Sequence, residues 1–417
     1  MEKMIYVYDS WSSDEPILIG KLYADNIRGR ELYSFEYDKS WLDNYSMSVM
    51  LDPDISLYAG RQYNTRAQNK LFGVFSDSCP DRWGRKLMNI HEDELAKIEN
   101  RNPRKLNEID YLLGVNDETR MGAIRFSLSK DGPFVATNES YPIPPICNLR
   151  ELENAYREYE NGSGPEKWMK ELFSPGSSLG GARPKANVID PNGNIWIAKF
   201  PSKNDEIDVG AWEIVVHDLA QLCEIDVPEA KCEKLSKYGT TYIVKRFDRV
   251  NNRRIHFSSA MTLLGKEDGS SGIDGTSYLE LADYIKMSSS KPSRDLLELW
   301  KRIVFYMLVS NTDDHLRNHG FIWEMKGWKL SPMYDVNPSL DGSSLALNVN
   351  MNSGVLDLDL ALSVSKQFAI KEEDAKNMIN ELKDKVKHSW KFMAKKYGIK
   401  SDEIHIMEKC FALAEKQ

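Results

Sequence analysis

The sequence has no long apolar run, no paired-cysteine motif and no excess of basic charge. No stretch approaches the roughly 20 apolar residues that a membrane span needs, and the opening "MEKMIYVYDSWSSDEP" lacks the apolar core of a signal peptide. A cytoplasmic location without a membrane partner is expected. Cys79, Cys147, Cys223, Cys232 and Cys410 are odd in number and scattered, with no Cys-x-x-Cys pair. That spacing argues against zinc and disulfides and for buried thiols in a reducing compartment. A net charge of −8 and a pI near 5.6 exclude a surface built wholly for nucleic acid, though a local basic patch is compatible with them. No internal repeat or low-complexity tract stands out.

What is present is ordinary globular composition, 41% hydrophobic and 28% charged over 417 residues. That length exceeds what one compact core supports, so two or three domains are expected. The start reads as strands ("MIYVYD", "ILIGKLYA", "LYSFEYD") followed by helix ("RWGRKLMNIHEDELAKIE"), an α/β domain over 1–138. Three prolines in "ESYPIPPICNL" interrupt helix and sheet alike and place a linker at 139–149. From 150 to 250, "KANVID", "IWIAKF" and "TYIVKRF" form a small sheet, with "VGAWEIVVHDLAQLCE" as its helix and "DPNGN" as a hairpin turn. The remainder, 251–417, is mainly helical, with apolar residues three to four apart in "YLELADYIKM", "RDLLELWKRIVFYMLVS", "EEDAKNMINELKDKVKHSWKFMAKKYG" and "DEIHIMEKCFALAEKQ". The fold class expected is α+β.

The chemistry gathers at "NTDDHLRNHGF", directly behind an apolar helix. Asp313 and Asn318 stand five apart, the spacing of a phosphoryl-transfer loop whose Asp accepts the substrate hydroxyl proton and whose Asn binds a metal ion. Taken alone, such residues equally suit a turn or a helix cap. "SPMYDVNPS" offers Asp335 as a second metal ligand, and two hard oxygen donors from separate loops suit Mg²⁺. "SPGSSLGGARPK" is a glycine-rich candidate for covering phosphates, although it matches neither the Walker A nor the kinase glycine-loop spacing. Lys199 on a strand and Glu213 in the next helix complete an order of glycine-rich loop, Lys, Glu, catalytic loop and metal Asp, which is the kinase order. Adenine commonly bonds backbone groups where two lobes connect, so Lys245, Arg246 and Phe247 are assigned to the nucleotide site. Tyr334, beside Asp335, is assigned there as well.

Assembled, these segments resemble the HipA family of toxin kinases, the kinase halves of bacterial toxin–antitoxin pairs. "LFGVFSDSCPDRWGRKLM" and "LNEIDYLLGVNDETRMGAIRF" are similar to the family's amino-terminal region; "SSLGGARPK", "IAKFPS", "YIVKRFDR", "NTDDHLRNHGF" and "PMYDVNPS" are similar to its kinase core. The resemblance implies a bilobal kinase-like fold and ATP- and Mg²⁺-dependent phosphorylation of protein serine or threonine, with targets in the translation machinery. By position it makes Asp313 the catalytic base. It places His315, Leu316, Arg317 and Asn318 at the nucleotide and metal site, and Asp335 on Mg²⁺. Lys199 would contact phosphates, and Leu179, Gly180, Gly181, Ala182, Arg183, Pro184 and Lys185 would cover them. Ser178 aligns with the serine that relatives autophosphorylate to switch themselves off, although "ARP" departs from the "AQ" of some members. Asp314 is expected to cap or orient the loop.

The resemblance also implies a small DNA-binding antitoxin as partner, a protein substrate, and operator DNA reached through the antitoxin complex. Lys383, Lys387, Lys391 and Lys395 recur every four residues and could touch a phosphate backbone or be a solvated face. A catalytically silent scaffold and a kinase for a small molecule or lipid head group remain open alternatives.

Overall fold

The computed structural model describes residues 3–416, apart from 28–29, 46–49, 65–69, 138–142, 165–171, 173–182, 252 and 325. The chain forms two compact units, Met1–Lys199 with Lys245–Ser258, and Phe200–Val244 with Ser259–Gln417. The segment expected as a linker at 139–149 falls inside the first of these.

In the first unit, period-two alternation builds an antiparallel sheet of β1 (Lys3–Asp9), β2 (Ile17–Ile27), β3 (Arg30–Tyr37), β4 (Gln62–Tyr63) and β5 (Ile124–Ser127), in the order β4-β3-β2-β1-β5. Its covered face carries the fully buried Ile5, Val7, Leu22, Phe35 and Phe126. Phe75 packs on that face, 5.5 Å from the Phe35 ring and 6.0 Å from Phe126. The helix Arg82–Ile98 starts where the Asp81 carboxylate accepts the Gly84 N–H at 2.8 Å, the capping that shorter polar side chains provide.

The strands Lys185–Ile189 (β6) and Ile195–Lys199 (β7) pair antiparallel around a turn in which the Gly193 N–H donates to Asp190 O. Positive φ falls on Gly193 (81°), so the turn closes as a three-residue hairpin loop. The Asp190 carboxylate accepts the N–H groups of Asn192 and Asn194 at 2.8 and 2.9 Å.

The same unit buries a charged network. Asp248, fully buried, accepts from Arg246 Nε (2.8 Å) and Nη2 (2.6 Å), from Arg249 Nη1 (2.7 Å) and from the Gly122 N–H (2.8 Å). Despite burial, those guanidinium groups hold its carboxyl well below the usual carboxylate range.

The second unit is mainly helical. Val209–Leu222 opens at Asp208, whose Oδ1 accepts from both Ala211 and Thr240 N–H. The short strands Ala230–Glu233 (β8) and Thr241–Lys245 (β9) follow as an antiparallel pair. Tyr278–Ser288, Pro292–Val309 and Glu372–Lys396 are helices as the apolar spacing predicts. Trp212, Trp300 and Trp390 are fully buried between them, and Trp390 stacks on Phe411 at 4.3 Å.

The carboxy-terminal stretch read as one helix is broken into Ser401–Met407, a 3₁₀ turn Glu408–Phe411 and Ala412–Glu415. The Cys410 carbonyl accepts from Ser310 Oγ at 2.8 Å, a tertiary bond of the kind that displaces a helix ladder. On the 372–396 helix, Lys391 pairs with Glu408 at 2.8 Å.

Candidate active site

The polar loop begins where an apolar helix is made to stop. Pro292–Val309 ends with Ser310 in the left-handed region (φ 53°), and the Asn311 N–H returns to the Tyr306 carbonyl at 2.9 Å. From that closure the chain runs through 311–315, a 3₁₀ turn Leu316–Asn318, and into a hairpin of Gly320–Glu324 (β10) and Gly327–Leu330 (β11).

Asp314 points inward. It is 1% exposed, the Tyr278 hydroxyl donates to its Oδ2, and the Ala346 N–H donates to Oδ1 at 2.6 Å. Burial raises its carboxyl to about 6, against the lowering effect of those two donors. His319 Nε2 lies 3.2 Å from the Asp314 carbonyl, and burial holds this imidazole down at about 3, so it is neutral. Its ring sits edge-on to Tyr278 at 5.4 Å. Asp314 thus orients the loop, as the sequence suggested, through Tyr278, Ala346 and His319, which no local spacing linked to it.

Asp313, next in line, points outward and is exposed. The Asn318 amide donates to the Asp313 carbonyl at 2.9 Å, tying together the two residues five apart. Asn318 is 5% exposed, yet its Oδ1 is buried without a hydrogen-bond partner, as is Nδ1 of His315. A buried acceptor left unmatched costs about 1–3 kcal/mol unless something else engages it.

The Asp335 segment is stitched to this loop. Tyr334 Oη donates to the Arg317 carbonyl (2.6 Å), the Asn337 N–H to Asn311 Oδ1 (3.2 Å) and the Ser339 N–H to the Ser310 carbonyl (3.0 Å). Asp335 itself has φ 57°, a left-handed conformation held by these neighbours. Arg302, 1% exposed, adds a bond to the Ser331 carbonyl at 2.8 Å. Burial, followed by the carboxylates of Glu213 and Asp335, raises the Tyr242 hydroxyl well above its ordinary value.

Asp313, His315, Leu316, Arg317, Asn318, Tyr334, Asp335 and Glu213 therefore all belong to the second unit. Leu316 is buried, and Arg317 Nε lies 3.3 Å from Asp268. Arg183, Pro184, Lys185, Lys199, Lys245, Arg246 and Phe247 belong to the first. There Lys199 is 7% exposed at the end of β7, in register with Lys185, whose ammonium pairs with Asp81 at 2.8 Å. The Lys245 ammonium lies 5.8 Å from the Trp196 ring, and the Phe247 ring 6.1 Å from Phe257. The Arg246 guanidinium is engaged by Asp248 and by the Thr119 and Arg120 carbonyls, so its side chain holds the first unit together. Ser178, Leu179, Gly180, Gly181 and Ala182 lie outside the described residues.

An amide oxygen without a partner and a carboxylate on a stitched neighbouring loop suit Mg²⁺, which takes few protein oxygens and keeps water and phosphate as its other ligands. Among the described residues no group of three or more His, Cys, Asp or Glu forms a metal cluster, and no helix is long and apolar enough to cross a membrane.

Comparison with known proteins bears on the whole chain. Residues 14–127 match the HipA N-terminal domain and 177–390 the HipA-like C-terminal domain. Two curated relatives from Sinorhizobium fredii, "Putative kinase Y4mE" and "Putative kinase Y4dM", are 26% identical over 166 residues and 27% identical over 169. The alignments cover 38% and 37% of this chain and 38% and 40% of the relatives, so the chain spans under half the length of either. A solved HipA from Shewanella oneidensis MR-1, in complex with HipB and its operator DNA, superposes with a TM-score of 0.70 over 99% of this chain and 96% of that one at 18% identity. That likeness shows the fold, mixed helix and antiparallel sheet, as the sequence reading expects. By the domains it matches, the chain belongs to the HipA family.

Proposed function

We propose that this chain is an ATP- and Mg²⁺-dependent kinase that phosphorylates serine or threonine hydroxyls of a protein. The observation that carries the reading is the pair Asp313 and Asn318. The first presents an exposed carboxylate, while the second fixes that residue's backbone and keeps an unmatched oxygen beside it.

In this reading Asp313 accepts the proton of the acceptor hydroxyl. Asn318 and Asp335 would hold the Mg²⁺, which when bound neutralises charge on the phosphate oxygens. The protein's own contribution is positioning: Asp314 pins the loop from inside, and the bonds from Tyr334, Asn337 and Ser339 keep Asp335 and the loop in fixed register. Lys199 and the 179–185 loop would contact the ATP phosphates. Lys245 to Phe247 would meet the adenine through backbone groups, since the Arg246 side chain is already engaged.

The family, the kinase names of the relatives and the HipB and operator DNA bound to the Shewanella HipA support the biological half of the proposal. The chain would be a toxin restrained by a small DNA-binding antitoxin, reaching operator DNA through that complex and slowing growth by modifying the translation machinery. Phosphorylation of Ser178 would switch it off. Incubation with radiolabelled ATP and Mg²⁺ tests the chemistry: labelled protein is expected from the wild type and background from Asp313→Ala, whereas equal labelling would remove Asp313 from its role. Growth arrest on expression, relieved by the antitoxin, tests the toxin half separately.

A further inference from the structure

A kinase must hold its acceptor beside the catalytic carboxylate, and the chain beyond Asp335 forms a rigid platform at that place. Residues 343–356 fold back on themselves through Leu345 N–H to Gly354 O (2.7 Å), Val349 N–H to Ser353 O (2.7 Å) and Leu356 N–H to Ser343 O (3.0 Å). Along its other edge this hairpin bonds to the turn 272–276, through Gly272 N–H to Ala346 O (2.8 Å), Asn348 N–H to Thr276 O (3.0 Å) and Asn348 Nδ2 to Gly272 O (2.9 Å). Two contacts join it to the catalytic loop on either side of Asp313: Thr312 Oγ1 donates to the Asp341 carbonyl (3.0 Å), and Ala346 N–H to Asp314 Oδ1 (2.6 Å). Gly342, at φ 101°, passes so close that a Cβ there would lie 3.1 Å from Thr312 Oγ1.

This platform presents apolar side chains to solvent. Ile273 is 100% exposed on a turn fixed by reciprocal Ser271 and Asp274 capping, and Met351 is 68% exposed at the hairpin tip. Val355 and Leu340 are also exposed. Bulky apolar groups held out on hydrogen-bonded backbone offer contact area to a partner.

The charge around them is mainly acidic. Residues 330–365 contain no Lys, Arg or His, in a chain with 55 Lys and Arg. Glu267, Asp268, Asp274 and Asp341 are exposed, while the cations of this neighbourhood, Lys266 and Arg317, are paired with Glu280 and Asp268. Such a surface repels phosphate-bearing ligands and attracts cationic ones.

We infer that the 272–276 turn and the 340–356 hairpin are the docking surface for the acceptor polypeptide, selecting a serine or threonine in a segment that carries both basic and apolar residues. The inference rests on the kinase reading for the meaning of Asp313. The binding it asserts can be measured without catalysis.

The test uses the full chain and two fluorescein-labelled peptides, one with a serine flanked by arginines and leucines, the other with glutamates replacing the arginines. Fluorescence anisotropy is expected to show binding of the first only, weakened about tenfold or more in Ile273→Asp and in Asp341→Lys, side chains with no structural bond of their own. Phosphorylation assays on the same proteins should show the peptide KM rising in those variants while the ATP KM stays constant. No binding of the basic peptide, equal binding of both peptides, or variants indistinguishable from wild type would overturn the inference. So would dimerisation lost in Ile273→Asp, which would make a second copy the occupant. Peptide binding with no phosphate transfer would leave the docking surface standing and remove the kinase reading alone.

Discussion

Two stretches of this chain, 246–254 and 311–319, are both dense in charged and amide side chains, and they use them in opposite ways. In the first unit Asp248 has both carboxylate oxygens occupied, by two arginines and a backbone N–H, inside a packed interior. In the second, Asp314 is likewise occupied, but its neighbour Asp313 is left exposed and Asn318 keeps a buried oxygen unmatched. Polar density by itself does not separate a structural network from a site. What marks the second stretch is the unmatched Asn318 oxygen beside the outward Asp313 carboxylate.

The sharpest break of the comparison is a pair of substitutions. Asp313→Ala should reduce phosphate transfer by about 10³-fold or more, with little change in thermal stability because the side chain is exposed. Asp248→Ala should do the reverse in kind, destabilising the protein by about 3–5 kcal/mol in urea unfolding, because Arg246 and Arg249 would remain buried without their counter-charge. If Asp248→Ala left stability intact, the structural assignment of the first network would fall.

A smaller effect tests the internal pin. Tyr278→Phe removes one of the two donors to Asp314 and should cost about 1–3 kcal/mol in urea unfolding, with transfer activity reduced as the loop loses its fixed register.

The smallest effect is in pH. The Asp314 carboxyl is raised to about 6 in the folded state from an ordinary value of 3.8, so its contribution to stability is fully present below about pH 4 and lost as the pH rises through about 6. Stability of the wild type relative to Asp314→Asn should therefore fall between pH 4 and 7, by about 2 kcal/mol. A flat difference over that range would show that Asp314 is not held in the surroundings described.

Much of this was legible in the sequence because periodicity reports local burial. The alternation in "MIYVYD" and "LYSFEYD" and the helical spacing in "RDLLELWKRIVFYMLVS" lead directly to β1, β3 and the 292–309 helix. The short strand Ala230–Glu233 was not legible: in four residues it buries no side chain fully, so no apolar pattern marks it. At the break in the carboxy-terminal helix the Cys410 carbonyl accepts from Ser310, a hundred residues earlier.

The same limit applies to the site. Asp313, Asn318 and Asp335 follow from spacing and order, whereas Tyr278 and Ala346 reach Asp314 from 36 and 32 residues away and carry no motif. Arg246 is a further case, since its position at the end of a strand gives no sign that its side chain serves Asp248.

The central claim is that the loop around Asp313 and Asn318 transfers phosphate with Mg²⁺ held at the unmatched oxygen. Intact mass measurement after incubation with ATP and an acceptor protein, across a Mg²⁺ titration, tests it most directly. The account predicts phosphate uptake by the wild type, none by Asp313→Ala, and a markedly raised Mg²⁺ requirement in Asn318→Ala; equal uptake by all three at the same Mg²⁺ concentration would contradict it.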